Sequence, residues 1–405
     1  MNMSEDSIGV WLIGAFGTVA TTVVVGAKAI AAGIAPRFGL LTESSDLGPL
    51  AMPSTGSLRF GGHEIRPTSF EASASEIARR NGSIHEPWID SLKDELAACS
   101  KEVRPGIATG GGKAIESLQD GAGRDSGAMT ARHAVDSIEA DLEAFRRRHG
   151  LKRLVVINLA STEPPPPERE EYQRLDALEK ALDRAKSAEF RPGLLYAYAA
   201  FKNRAAFVNF TASKSCVCPA LDELARKLGV PYAGSDGKTG ETLVKSALAP
   251  MFGIRRLHVD SWTGFNILGN RDGQVLSSEE NRKSKVDSKD GVISGILGYA
   301  PQTVVGIHFV ESLWDNKVAW DHIHFRGFLG YPMSMQFTWQ GCDSILAAPL
   351  VLDLIRFADL ALRRGESGPL VHLASFFKSP VGTTEHDLAR QSELLQRYIS
   401  SALPS

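Results

Sequence analysis

Cysteine is scarce: four in 405 residues, at positions 99, 216, 218 and 342. They are too few and too unevenly spaced for a disulfide framework or a zinc ribbon, and they fit a reducing compartment. Cys216 and Cys218 also lie too close together for an ordinary four-ligand metal site. Net charge is missing too. The 45 Lys plus Arg against 47 Asp plus Glu, a formal net of −2, leave no field to make nucleic acid or an anionic membrane the main partner. The longest uncharged stretch, Ser7 to Ala27, follows Glu5 and Asp6 rather than a basic start and is broken by Gly14, Gly17 and three threonines. It reads as neither a signal peptide nor a membrane span, so the cytoplasm is expected. No internal repeat is visible, and Pro164 to Pro167 is the one low-complexity run.

What remains is an ordinary globular composition, 43% hydrophobic and 23% charged, long enough for two or three packed units. Ile8 to Ile13 is a continuous apolar run ending at Gly14, and Thr18 to Ile34 follows with helix-compatible Ala and Val before Pro36: strand, turn, helix. Thr42 to Arg80 reads as loops and short strands. Met129 to His149 has apolar residues at helical spacing and cations in its last turn. Leu154 to Leu159 and Ala205 to Phe210 read as buried strands, and Glu168 to Lys186 and Ala220 to Leu228 as helices. Strands alternating with helices predict a parallel sheet covered on both faces. After about Ala249 the pattern changes. Trp320 to Gly330 and Tyr331 to Gln340 alternate apolar with polar, as antiparallel strands do, before a buried helix over Leu346 to Leu362 and an amphipathic one over Glu385 to Leu403.

Several segments carry chemistry. Gly14-Ala15-Phe16-Gly17-Thr18-Val19-Ala20 sits where a dinucleotide fingerprint belongs, although Phe16 stands where close backbone approach usually demands glycine; a plain strand-to-helix turn is the other reading. Gly106 to Lys113 fails as a phosphate loop, because the spacing to Lys113 is wrong and Ala114 stands where Ser or Thr should. Ala233 to Ser246 combines Asp236, Lys238 and Thr239 with three glycines ahead of a helix, which suits an anion or metal or an ordinary helix entry. Lys317 and Lys378 lie inside apolar stretches, where desolvation makes an amine a usable acid or base.

In this order the pieces resemble inositol-3-phosphate synthase, also called myo-inositol-1-phosphate synthase, from Ile8 to about Pro380. Ala233-Gly234-Ser235-Asp236-Gly237-Lys238-Thr239-Gly240 resembles that family's AGDDxKSGQT, and Leu268 to Gly273 its LGNNDG. Ser284 to Lys289 resembles SKxxSK, Asp315 to Asp321 resembles DSKVAMDE, and Asp343 to Leu350 resembles EDSLLATPL. The resemblance implies an enzyme that converts glucose 6-phosphate into inositol phosphate with no net oxidation: NAD-mediated oxidation at C5, enolisation, attack of C6 on C1, and re-reduction. Lys285, Lys289, Lys317 and Lys378 would be the catalytic and phosphate-contacting set, with Asp236 and Asp315 beside them. Lys285 and Lys378 would manage protons around C5 and C6, with Lys289 and Lys317 nearer the phosphate and the developing oxyanion.

By the same resemblance Gly14, Ala15, Phe16, Gly17 and Thr18 would form the pyrophosphate turn. Glu64, in Gly62-His63-Glu64-Ile65, would hold the adenosine ribose. Thr162 and Ser213 would complete the cofactor wall, and Asp236, Asn270, Asp272, Asp315 and Asp343 would line the nicotinamide neighbourhood. Ser235 and Arg271 depart from the family's acidic and amide residues, and a divalent or monovalent cation is left open, which the same five residues would line. The expected architecture is α/β: a doubly wound Rossmann-type domain, residues 1–245 with 345–405, and an inserted α+β catalytic and oligomerisation domain, 246–344. The insert would build a homo-tetramer through its sheet, with Phe325, Phe328, Met333, Met335 and Phe337 suited to that burial. A related cyclase or dehydrogenase on another sugar phosphate, or a non-catalytic nucleotide-binding homologue, are the alternatives.

Overall fold

The computed structural model describes residues 7–119, 129–276 and 293–403. Its larger sheet has seven parallel strands: β1 Ile8–Ile13, β2 Leu58–Glu64, β3 Val103–Pro105, β4 Leu154–Asn158, β5 Ala206–Asn209, β6 Pro231–Gly234 and a two-residue edge at Gly368–Pro369. Their order is β3-β2-β1-β4-β5-β6 and then the Gly368–Pro369 edge, so the winding reverses between β1 and β4. This is the doubly wound arrangement expected.

The strands are apolar at nearly every position because both faces are covered. On β1, Ile8, Val10 and Leu12 pack under the helices Thr18–Ala31 and Asp343–Arg363, while Trp11 and Ile13 pack under Ala131–Arg148 and Pro192–Lys202. The helix Asp343–Arg363 is buried almost throughout, as its all-round apolar sequence requires, and it touches β4, β5 and β6. It carries the chain back to the first sheet. The segment read as loops and short strands contains more order than that: β2 and a twelve-residue helix, Phe70–Asn81, capped by Ser69 and ended by Gly82 with φ +66°.

The smaller sheet has four strands: β7 His258–Leu268, β8 Gln302–Phe309, β9 Asn316–Arg326 and β10 Pro332–Cys342. The order is β10-β9-β7-β8, with β7 and β8 parallel and the other pairs antiparallel. One face packs on the helix Gly240–Ile254 through Ala249, Phe252, Val259, Trp262 and Ile323. Phe325 is buried in that cluster, and Met335 and Phe337 pack against it. These three therefore face the helix rather than the open side, because strand alternation places them with Ile323. The open face carries Phe265, Trp320 and His322 in a stacked row. Phe328 and Met333 do stay exposed, at the hairpin that joins β9 to β10. No helix among the described residues is long and apolar enough to cross a membrane.

Candidate active site

One pocket runs along the carboxyl ends of the parallel strands. Ile13, Glu64, Gly106 and Asn158 line it from the ends of β1, β2, β3 and β4, and Thr211 and Asp236 from the turns after β5 and β6. It spans the point where the strand order reverses, the place where open α/β sheets bind ligands. Residues from around the second sheet, Asn270, Trp314, Asp315, Lys317, Asp343 and Ala347, close the other side.

The glycine turn at one end is built for backbone contact. Gly14 has φ +79°, and a Cβ there would stand 3.1 Å from Ala160 Cα. The Gly14 and Ala15 amides donate to His63 O at 2.9 and 3.0 Å, fastening the turn to the end of β2. The helix Thr18–Ala31 starts without a side-chain cap and without an acid in its first turn. Its unsatisfied N–H groups and dipole suit a pyrophosphate. Phe16, the residue out of pattern, puts most of its ring into the core, edge-on to Phe70 at 4.9 Å, while Ser73 Oγ holds its carbonyl at 3.1 Å. The residues present thus fit a dinucleotide.

Glu64 lines the pocket, and its carboxylate also has partners within the protein. Oε2 accepts from Phe16 N at 2.8 Å and Arg66 Nη2 at 3.1 Å, and Oε1 from Ile65 N at 2.9 Å. The acid first braces the glycine turn. Ala15 is fully buried below the lining, and Ser213 stands behind the wall rather than on it. Ser213 Oγ accepts from Glu163 N at 3.0 Å, and Glu163 takes Gly193 N at 2.7 Å and Ser215 Oγ at 2.5 Å. Burial pushes the Glu163 carboxyl up, opposed by those donors. Thr162 does lie on the wall, next to Thr211 and Ala212.

Two lysine–carboxylate pairs face the pocket from different stretches of chain. Lys378 Nζ donates to Asp236 Oδ1 at 2.7 Å, and both residues are about 95% buried. Asp236 Oδ2 is buried with no hydrogen-bond partner among the described residues. Lys317 Nζ stands 3.4 Å from Asp343 Oδ1. Between the pairs, Asp315 accepts from Ser344 Oγ at 2.5 Å, Cys342 Sγ at 3.0 Å and Asn270 Nδ2 at 3.2 Å. Its carboxyl is pushed up by burial and then by the Asp343 charge, against those donors. These contacts tie Asp315, on the pocket wall, to Asn270 and to the start of the Asp343–Arg363 helix.

Lys285 and Lys289 lie outside the described residues, as does the Asp272 side chain. Of the other expected residues, Gly14, Phe16, Gly17, Thr18, Glu64, Thr162, Asp236, Asn270, Asp315, Lys317, Asp343 and Lys378 line the one pocket. Gly106, Ile107 and Gly111 line it as well, although their segment lacks the phosphate-loop spacing. Asn158, Gly193 and Tyr196 also line it and are signalled by no motif. Among the described residues no group of three or more His, Cys, Asp or Glu side chains is placed to hold a metal ion.

A family model for NAD-binding proteins, described as myo-inositol-1-phosphate synthase, matches residues 8–399. Inositol-3-phosphate synthase 1 of Bacteroides thetaiotaomicron is 35% identical over 424 aligned residues, 98% of this chain and 95% of that protein. The inositol-3-phosphate synthase of Trypanosoma brucei brucei is 31% identical over 57% of this chain, and the match spans 45% of its own length. Among solved structures, inositol-3-phosphate synthase from Caenorhabditis elegans superposes with a TM-score of 0.88 over 99% of this chain and 87% of that one, at 24% identity. A myo-inositol-1-phosphate synthase-related protein from Thermotoga maritima gives 0.77 over 97% and 98%, at 23% identity. These superpositions speak for the fold.

Proposed function

The chain belongs to the myo-inositol-1-phosphate synthase family, and from that premise we propose that it converts D-glucose 6-phosphate into 1D-myo-inositol 3-phosphate, an isomerisation with no net oxidation, using NAD. One observation carries the reading: a single pocket holds both the uncapped glycine turn at Gly14 and two lysine–carboxylate pairs drawn from separate parts of the chain. A nucleotide-binding scaffold has no packing need for the second feature.

Bound NAD would supply the oxidation at C5 and the closing re-reduction. The chain's own residues would do the rest. Lys378, oriented by Asp236, would move the proton at C6 as the 5-keto sugar enolises. Lys317, oriented by Asp343, would deliver positive charge to the C1 oxygen as C6 adds to it. The sugar phosphate would sit at the start of the helix Gly240–Ile254, which has no side-chain cap and whose N-cap Thr239 is on the pocket wall. The indole N–H of Trp339, buried without an acceptor among the described residues, packs against Gly240 there. Lys285 and Lys289 enter this scheme by motif alone.

We further propose the division of the chain at residues 245 and 345, assembly as a homo-tetramer through the open face of the smaller sheet, and a cytoplasmic location. The return of the Asp343–Arg363 helix to the first sheet supports the division, the Phe265–Trp320–His322 row with its exposed Trp320 the assembly, and four cysteines free of disulfides the location. A cation enters only as an additive, tested by activity before and after chelation.

Incubating the purified protein with glucose 6-phosphate and NAD decides the activity. Inositol phosphate without net NADH is expected. Net NADH would mean a dehydrogenase, and inertness toward sugar phosphates a non-catalytic homologue.

A further inference from the structure

Glu64 ends β2, the position from which a nucleotide domain of this winding holds the adenosine ribose with an acid. Here that acid is already engaged by the chain itself. Its Oε1 accepts from Ile65 N at 2.9 Å, Arg66 N at 3.2 Å and Arg66 Nε at 3.3 Å, and its Oε2 from Phe16 N at 2.8 Å and Arg66 Nη2 at 3.1 Å. An ionised carboxylate has about four lone-pair sites on its two oxygens, so these donors leave none for a pair of ribose hydroxyls. A hydroxyl that displaced one of them would leave an N–H without its acceptor.

What the wall offers beside it is Arg66. It lines the pocket next to Ile65, and its side chain is 16% exposed against 5% for that of Glu64. Nε and Nη2 are turned to the carboxylate, while Nη1 has no hydrogen-bond partner among the described residues. A guanidinium held by one carboxylate still carries N–H groups for a second anion, and phosphate is an anion whose oxygens match that fork. Among the described residues, the other ionisable groups on this part of the wall are His63 and Glu76. His63 is held between Trp11 Nε1 at 2.9 Å and Asp141 Oδ2 at 3.0 Å. Glu76, on the helix Phe70–Asn81, adds a negative charge that opposes a phosphate there.

We propose that the adenosine end of the pocket admits a 2′-phosphate, so that the protein binds NADP alongside NAD, with Arg66 as the residue that receives the phosphate. The proposal rests on the reading of the glycine turn as a dinucleotide site and adds which dinucleotides that site takes. An unengaged carboxylate at the end of β2 would repel a 2′-phosphate and favour the free hydroxyl. Glu64, paired with Arg66 and filled by backbone donors, does neither. The charges of Glu64 and Arg66 cancel and Glu76 opposes the phosphate, so comparable affinities follow rather than a preference for NADP.

The test is isothermal titration calorimetry of the full-length protein with NAD and with NADP, in the absence of any sugar phosphate. The two dissociation constants are expected to lie within about tenfold of each other. Arg66→Gln should weaken NADP by about tenfold or more while NAD changes by no more than about threefold. Arg66→Lys keeps the charge without the fork, should fall between, and serves if Arg66→Gln does not fold. NADP bound more than about tenfold more weakly than NAD by the wild type overturns the proposal, as does a ratio of the two affinities that the folded variants leave unchanged. Binding of NAD alone removes only the 2′-phosphate and leaves the dinucleotide reading of the glycine turn standing. Binding of neither dinucleotide overturns that reading and the proposal with it.

Discussion

Lys317 Nζ lies 3.4 Å from Asp343 Oδ1, where Lys317 pairs with Gly341 at the end of the β9–β10 ladder and Asp343 opens the following helix. A pair at that separation, on the wall of a pocket, contributes about 1 kcal/mol or less to stability. Its use must lie elsewhere. Lys317→Ala is expected to lower kcat by about a hundredfold or more while the melting temperature stays within a few degrees of the wild type. Steady-state kinetics beside a thermal melt check both halves. Near-normal turnover would take Lys317 out of the site.

The glycine turn admits a separate test, because it concerns the cofactor and not the sugar. Gly14→Ala puts a side chain at φ +79° and drives a Cβ to 3.1 Å from Ala160 Cα and 3.2 Å from Ala160 N. Backbone atoms on both sides cannot yield cheaply, so the turn must shift, at a cost on the order of 1–3 kcal/mol. That shift would carry the Phe16 amide away from Glu64 Oε2. NAD affinity measured by titration calorimetry should fall by about tenfold or more. Unchanged affinity would place the dinucleotide elsewhere.

The open face of the smaller sheet is tested by charge. Trp320 is 37% exposed and stacks on Phe265 at 6.0 Å. A carboxylate there would be desolvated if a second subunit covers the face. Trp320→Glu is expected to convert a tetramer to smaller species by light scattering, with the far-ultraviolet spectrum retained. A mutant of unchanged mass would show that this face is not the interface.

Legibility from sequence follows the physics of each element. Ile8–Ile13 and the helix over Asp343–Arg363 are readable because a segment buried on all sides must be apolar throughout. The helix Pro192–Lys202 does not stand out in the sequence: it is just as apolar, but its period is hidden because nearly every side is buried against the sheet and neighbouring helices. In the second sheet, alternation reveals two faces but does not say which one a helix covers. Phe325, Met335 and Phe337 therefore look like interface residues in the sequence and face Phe252 in the structure. Asp236, Asn270, Asp315, Lys317 and Lys378 are legible through their motifs. The Glu163–Gly193–Ser215 brace is not, since its members are 30 and 52 residues from Glu163 and meet only once β4 and β5 pair.

His372 sets a pH dependence of stability apart from the site. Its ring stacks on Tyr398 at 3.5 Å, and its Nε2 is buried with no partner among the described residues. Burial and then the Arg364 charge depress its pKa from 6.5 to about 4. Between those values the unfolded chain binds a proton that the folded chain refuses, so protonation favours unfolding. The stability involved is complete above about pH 6.5, is lost as pH falls toward 4, and amounts to no more than about 3 kcal/mol. His372→Phe keeps a flat ring on Tyr398 and cannot titrate. Urea unfolding at pH 7, 6, 5 and 4 should show the wild type losing stability faster than the variant over that range, with the two curves converging in slope below pH 4. Parallel losses from pH 7 to 4 would assign the effect to other groups, because replacing the imidazole would then have removed nothing that depends on protons.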